Sequence, residues 1–505
     1  MHRIVIVGGG IAGLAAAWAL IRSGIPGPDV VVLEGSDRVG GKLRQERIAG
    51  HLVDVGAESM LAVRPEAPGL IREIGAGDLL VAPATTSASI YSYGELHPLP
   101  PGSLLGIPRR VEDAAGILSP AELDRLREVR VPPLDGDVSV GAYVAAALGD
   151  AVVDRLVDPL LGGVYAGRAR DLSLAAAAPQ VHAKALAGEP LLSPGESGSV
   201  SGAGLPPRSG GIATHGSRKP APVGETPHTS DESGIAADGA ALPPRSVFAG
   251  LEGGVGRLPV LLAGALRARG VRIETGVMVR ALTRRADGAG WDLIAGPTIA
   301  ALRIPAEAVV LATPPAATRR LLSAAEPAAA SLLHGIETAS MVVVTIALPA
   351  DTPAAPLPPG SGFLVPAVEG RAIKAATFSS AKWGHLARAA PGVTYLRASL
   401  GRHGDEGALQ RPDAELVGAV LRDLGDILGA PLPTPIETHV QRWGGALPQY
   451  AVGHLDRIAL LQAAIAEVPG LELAGATYAG VGIPAVIGTG RAAARAVVAE
   501  LARRG

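Results

Sequence analysis

Short apolar runs that stop at glycine alternate with stretches of helical spacing through most of the chain. The first run, residues 3–7, ends in Gly8-Gly9-Gly10-Ile11-Ala12-Gly13; an alanine-rich helical pattern then reaches Gly24, and a second run, 30–33, ends in Glu34. Such uninterrupted apolar runs predict strands buried on both faces, with the helix between them crossing over. Further on, 48–55 reads as strand, 53–59 as a turn back toward the first strand, and 66–80 as helix. Residues 90–99 read as a hairpin turning at Tyr93-Gly94, Ser119-Pro120 as a helix start, and 139–161 as helix. The second half repeats the alternation. It has strands at 271–274, 277–282, 308–312, 341–348, 373–377, 394–400 and 436–442, and helices reaching 269 and spanning 415–428 and 455–468. It closes with a strand at 471–474, a glycine turn, and a helix over 485–503. The class predicted is α/β.

Residues 187–246 break the pattern. Of these 60 positions 29 are Gly, Pro or Ser, with almost no apolar periodicity. Too few apolar groups are present to offset ordering entropy, so this stretch is expected to be a disordered insertion without chemistry.

The opening unit carries the first chemical signal. Strand, glycine turn, helix, strand and acid occur in the order that a dinucleotide requires. Gly8 permits the tight turn, Gly10 leaves room for a pyrophosphate, and Gly13 lets the helix sit close to the sheet. Ile11 and Ala12 open that helix, whose positive end would meet the phosphates. Glu34 falls where a carboxylate accepts hydrogen bonds from a ribose, with Gly35 beside it. Arg38-Val39-Gly40-Gly41-Lys42 adds a second glycine pair between two cations. This extension resembles the fingerprint of the FAD-containing amine oxidase and protoporphyrinogen oxidase superfamily, so the cofactor expected is FAD. The turn Gly56-Ala57-Glu58-Ser59 would return to it.

Longer segments resemble one branch of that superfamily. Residues 158–167, Asp-Pro-Leu-Leu-Gly-Gly-Val-Tyr-Ala-Gly, with Leu172-Ser173-Leu174, are similar to a signature of the protoporphyrinogen and coproporphyrinogen oxidases. So are Leu447-Pro448-Gln449-Tyr450 with Gly453-His454, and residues 473–484 around Gly475-Ala476 and Val481-Gly482-Ile483-Pro484. The resemblance implies a discontinuous Rossmann-like FAD-binding domain of the amine-oxidase (GR2) type, made of 1–65, 247–312 and 443–505. A substrate and helical subdomain would span 66–186, and a mixed-sheet substrate domain 313–442. It implies that Val279 meets the adenine, Gly475 and Ala476 the pyrophosphate, and Val481, Gly482 and Ile483 the flavin ring. Trp443 would stand near the flavin or serve as an ordinary core tryptophan.

For the substrate side the same resemblance implies a porphyrinogen held by Gly163, Val164 and Leu364, residues that also suit plain core packing. The stretch from Ala376 to His385, and Leu105-Gly106-Ile107-Pro108, look like the bacterial form that oxidises coproporphyrinogen, whose substrate carries four propionates. Arg64, Lys374 and Lys382 are candidate cations for them, or solvated surface charges. The implied reaction removes six electrons in three flavin cycles, with O2 as acceptor and hydrogen peroxide as product. Flavin chemistry of this kind asks no side chain to act as catalyst. Protoporphyrinogen is the alternative substrate. Departures stand at Ala476, where asparagine is common, at Ala485, in place of aspartate, and at Ala88, in place of an arginine of the animal-type enzymes.

Composition narrows the choice. A formal charge of -2 offers no electrostatic footprint for nucleic acid. The absence of cysteine excludes disulfides, thiolate metal sites and a cysteinyl flavin, and suits a reducing compartment. No signal segment is expected before the first strand, and the uncharged run 473–490 holds five glycines and Pro484, which suits a loop and helix rather than a bilayer span. A cytoplasmic protein is therefore expected, with peripheral membrane contact and contact with other haem-pathway enzymes left open. An amine oxidase would need an aromatic cage, yet aromatics make 3% of the chain. A carotenoid desaturase and a non-catalytic flavin-fold binding protein are the other rivals.

Overall fold

The computed structural model describes residues 3–192, 246–286, 288, 290–350 and 357–504. In chain order the strands that frame the site are β1 (Ile4–Val7), β2 (Val30–Leu33), β3 (Ser89–Ser92), β4 (Glu95–Pro98), β5 (Arg272–Glu274) and β6 (Ala308–Leu311). They continue with β7 (Thr338–Pro349), β8 (Gly362–Leu364), β9 (Ile373–Phe378), β10 (Val393–Leu400), β11 (Glu437–Pro448) and β12 (Leu471–Leu473). Three helices matter most: α1 (Ile11–Arg22), α2 (Asp158–Tyr165) and α3 (Ile483–Arg504).

One sheet is parallel throughout, in the order β5-β2-β1-β6-β12. Every residue of β1, β2 and β6 is buried, as continuous Val, Ile and Leu runs between helical layers should be. Ile4 pairs with both Val30 and Ala308, and Val309 with Leu471, so strands from the start, middle and end of the chain share one sheet. The alanines of α1 now have a reason. Ala15, Ala16 and Ala17 are fully buried, and Gly490 of α3 sits so close that an added Cβ would meet Ala12 O at 2.2 Å. Only small residues permit α1 and α3 to cross at that distance.

The second sheet is mixed, in the order β11-β7-β10-β9-β8-β3-β4, with β8 and β3 parallel and the other pairs antiparallel. Tyr93 (φ 52°) and Gly94 (φ 85°) make the β3–β4 turn where it was expected. A separate three-stranded antiparallel sheet joins Val279–Arg284, Trp291–Ala295 and Leu302–Ala306.

Several expectations are corrected. The stretch 48–55 is not one strand but the second half of a hairpin, Gln45–Ile48 with His51–Asp54, because Ala49 (φ 47°) and Gly50 (φ 83°) both turn left-handed. Residues 139–161 are not one helix: Gly149 (φ 101°) ends Val140–Leu148, and a π-helical turn, Val153–Val157, leads into α2. Ala67, Leu70 and Ile71 pack into the core under α1, and β3 and β4 join the mixed sheet, so 66–186 is shared among three cores. The insertion at 193–245 lies outside the described residues. Its predicted start at 187 is too early, because Leu191 and Leu192 are buried in the helical core.

Candidate functional site

A cavity of about 1030 Å³ runs along both glycine turns and on to the mixed sheet and α2. Small-molecule sites usually hold roughly 300–1,000 Å³, so there is room for more than one ligand. At one end the backbone supplies the walls. Gly8 (φ 111°) lies against Ala312, where a Cβ would meet its carbonyl oxygen at 2.6 Å. Gly10 opens into the cavity, with nothing within 4 Å of where a Cβ would stand, and α1 begins there without a side-chain cap. Its first N–H groups are left for a ligand of the opposite charge. Gly40 N donates to Gly9 O at 2.8 Å, which docks the second glycine pair on the first.

Glu34 follows β2 and is held by Gly9 N (2.6 Å), Ser36 N (2.8 Å) and Ser36 Oγ (2.8 Å). Lys42 exposes its surface to the cavity, yet it is so enclosed by protein that burial lowers its ammonium to about 8. The far wall brings Gly475, Ala476, Val481, Gly482 and Ile483 from the end of the chain to face Gly8 and Gly10. Gly35, Gly41, Ile11, Ala12, Val279, Gly56, Ala57, Glu58, Ser59 and Trp443 also line it. Trp443 Nε1 donates to Val55 O at 3.1 Å, and Gly56 lies under its ring. Gly163 and Val164 of α2 and Leu364 of β8 close the other end.

Five predicted residues do not line the cavity. Gly13 is a packing glycine: a Cβ there would meet Gly8 O at 2.0 Å. Arg38 braces its own loop, donating to the carbonyls of Val39, Leu43 and Gly41, and burial lowers its pKa. Arg64 pairs with Glu66 at 2.5 Å. Lys374 is buried behind the wall with no hydrogen-bond partner for Nζ, and burial, aided by Arg402, lowers it to about 7. Lys382 lies 4.0 Å from Glu58 and over the Trp383 ring. Three of these were expected to meet substrate carboxylates; Arg64 and Lys382 are paired with Glu66 and Glu58, and Lys374 is buried away from the cavity.

Sequence reading missed Arg397. It lines the cavity from β10, donates to Gly56 O at 2.6 Å and pairs with Glu58 at 3.0 Å. Burial favours the neutral acid at Glu58, but Arg397 and Lys382 outweigh it and the carboxyl ends below its usual range. Alternation along β10 would have marked Arg397 as facing the same side as Ser399, but nothing local says that side is a ligand wall. Arg320, on the helix Pro315–Ala325, also reaches the cavity and was not anticipated. The hairpin is tied across the cofactor end by Asp54, which accepts from Val255 N (2.7 Å) and Gly256 N (2.9 Å). Burial raises that carboxyl to about 6.

An uncapped helix start, a ribose-placed carboxylate and two glycine turns, facing a third turn from the chain's end, define an FAD-dependent oxidoreductase. The open cradles at Gly10 and Gly475, where no Cβ would meet an atom within 4 Å, fit that cofactor. Residues 11–498 match the family model for flavin containing amine oxidoreductases, and the chain belongs to that family.

Among curated proteins it is 35% identical over 511 residues to "Coproporphyrinogen III oxidase" of Mycobacterium tuberculosis (H37Rv), covering 98% of this chain and 97% of the relative. It is 30% identical to the protein of the same name from Bacillus subtilis, covering 97% of each. It is 27% identical to the chloroplastic protoporphyrinogen oxidase 1 of Arabidopsis thaliana, covering 95% of this chain and 84% of the relative. A solved structure from Exiguobacterium sp. 255-15, provisionally a protoporphyrinogen oxidase, superposes with a TM-score of 0.77 at 30% identity over 99% of each chain. Cyclohexylamine oxidase of Brevibacterium oxydans, at 17% identity and a TM-score of 0.65 over 99% of this chain and all of that one, shares the fold.

Proposed function

We propose that the protein oxidises coproporphyrinogen III to coproporphyrin III, a six-electron dehydrogenation in haem biosynthesis. The observation that carries it is the cavity itself. It is one continuous cavity, lined at the glycine cradles by backbone and elsewhere by largely apolar residues that include Gly163, Val164, Leu364, Ala446, Leu447 and Pro448. Bound there, FAD would supply the two-electron oxidant and pass the electrons to O2 with release of hydrogen peroxide.

The chain's own residues do the rest. Gly10, Ile11, Ala12, Gly41 and Ala476 would offer backbone N–H groups to the phosphates and Lys42 would add a cation, while Gly8, Gly40 and Gly475, whose own N–H groups bond to Leu33 O, Gly9 O and Thr489 Oγ1, would let the phosphates approach for want of a side chain. Glu34 would take the ribose, and Val279 the adenine. Gly56, Ala57, Trp443, Val481, Gly482 and Ile483 would enclose the ring, while the apolar lining would orient the macrocycle. Of the cations lining the cavity, Arg397 is already paired, and Arg320 lies on the helix that packs on the Val279–Arg284 strand, at the adenine end. The propionates would therefore stay at the solvated mouth.

A second reading, protoporphyrinogen oxidation, is favoured by that same scarcity of cations, since its substrate has two propionates rather than four. Anaerobic titration decides between them. Coproporphyrinogen should bleach the flavin faster than protoporphyrinogen; equal or reversed rates would sink the first reading. No helix among the described residues is long and apolar enough to cross a membrane. A cytoplasmic enzyme handing its product to other haem-pathway enzymes is part of the same proposal.

A further inference from the structure

The segment from Gln449 to His454 touches no part of the cavity, yet the side chains of Gln449, Tyr450 and His454 end on elements that do. Tyr450 Oη donates to Ala476 O and accepts from Gly480 N at 2.9 Å. The His454 ring stacks on Tyr450 at 4.1 Å, and its Nε2 lies 3.0 Å from Thr477 O. A carbonyl oxygen can only accept, so Nε2 carries the proton and donates. Gln449 Nε2 donates to Tyr165 O at 2.8 Å, at the end of α2. All three side chains are buried, and burial lowers His454 to about 4, so the ring stays neutral at physiological pH.

These contacts fall on the turn that positions the far wall. Ala476–Ala479 is a single helical turn, Gly480 follows at φ 127°, and Val481, Gly482 and Ile483 face the cavity immediately after. A four-residue helix cannot hold itself in place, because nucleation costs more than one turn returns. Resting on the flavin reading of the cavity, we propose that Tyr450 and His454 are positioning residues. They clamp the 476–480 turn so that the 481–483 backbone is set against FAD, and Gln449 ties the same clamp to the substrate-side helix α2. Neither side chain touches the cavity.

Tyr450→Phe keeps the ring stack and removes only the hydroxyl, leaving Gly480 N–H and Ala476 C=O unpaired. The expected results are an FAD dissociation constant raised at least about tenfold, equal to 1.4 kcal/mol, and faster hydrogen exchange at the Gly480 amide in the FAD-free protein. His454→Gln, which can still donate, should lose less affinity than His454→Ala. Leu126→Ala, a buried residue of the same helical core as Tyr450 that makes none of the clamp's hydrogen bonds, controls for general destabilisation. It should lower the unfolding midpoint while leaving FAD affinity and Gly480 exchange unchanged. An FAD affinity of Tyr450→Phe within twofold of wild type would overturn the proposal, as would an equal loss of affinity in Leu126→Ala. Because these readouts use FAD alone, they stand apart from the porphyrinogen titration. A wild type that binds FAD but is bleached by neither porphyrinogen would defeat the proposed activity and leave the clamp standing.

Discussion

Two glycines of α3, two residues apart, separate helix propensity from packing. At Gly488 an added Cβ would stand 3.7 Å from Glu66 Oε1, an ordinary contact. At Gly490 it would stand 2.2 Å from Ala12 O and 3.0 Å from Ala16 N. Alanine is preferred to glycine inside a helix by roughly 1 kcal/mol at either place. Gly488→Ala should therefore gain up to about 1 kcal/mol. At Gly490 the obstacle is backbone, which cannot rotate aside, and overpacking costs about 1–3 kcal/mol. The cost belongs at the upper end, since relief requires α1 and α3 to part along their whole seam; the net expectation is a loss of about 2 kcal/mol. Denaturant midpoints of the FAD-free variants, at constant m, read the difference directly. Since Ala12 is in the first turn of α1, Gly490→Ala should also weaken FAD binding while Gly488→Ala does not. A Gly490→Ala protein as stable as wild type, or equal losses in both variants, would refute the packing account.

The paired Arg397 and Glu58 should behave as one buried unit: Arg397→Gln leaves Glu58 with Lys382 at 4.0 Å and should cost about 3–5 kcal/mol. Adding Glu58→Gln should restore most of it, and a single-variant midpoint shift below about 1 kcal/mol would contradict the pairing. Lys374 titrates near 7 when folded against an ordinary 10.5, so the unfolded chain binds more protons between those values. Stability should rise with pH across that window, and Lys374→Met should be more stable at pH 7 and show a shallower rise, keeping only the part that Lys42 contributes above about 8; an unchanged slope would show that Lys374 is not a source. Lys42, lowered to about 8, should lose its charge as pH rises above that value in the FAD-free protein. FAD affinity should then fall with pH in wild type and show no such step in Lys42→Gln, as followed by flavin fluorescence titration.

Much of the nucleotide-binding half was legible along the chain because its determinants are local. β1, β2 and their helix are fixed by uninterrupted apolar runs and by glycines whose φ values or close contacts admit nothing larger, as at Gly8 and Gly13. The hairpin at Ala49-Gly50 was missed because alanine at positive φ carries no turn signal. The helical lobe was read as one helix because hydrophobic spacing survives across Gly149 and the π-helical turn that follows. Strands Trp291–Ala295 and Leu302–Ala306 were missed between residues with no clear alternation.

By itself the order of residues determined the cofactor cradle and the family, since backbone freedom at glycine and continuous burial of β-branched runs are properties of a few neighbours. Tertiary structure decided which charges face the ligand. Lys374 and Arg397 look alike as single cations on neighbouring strands, yet a bulge in β9 between Ile373 and Ala375 accompanies burial of Lys374 behind the wall, while Arg397 lines the cavity beside Glu58. Such a choice depends on sheet register and on partners hundreds of residues away, so no local pattern records it.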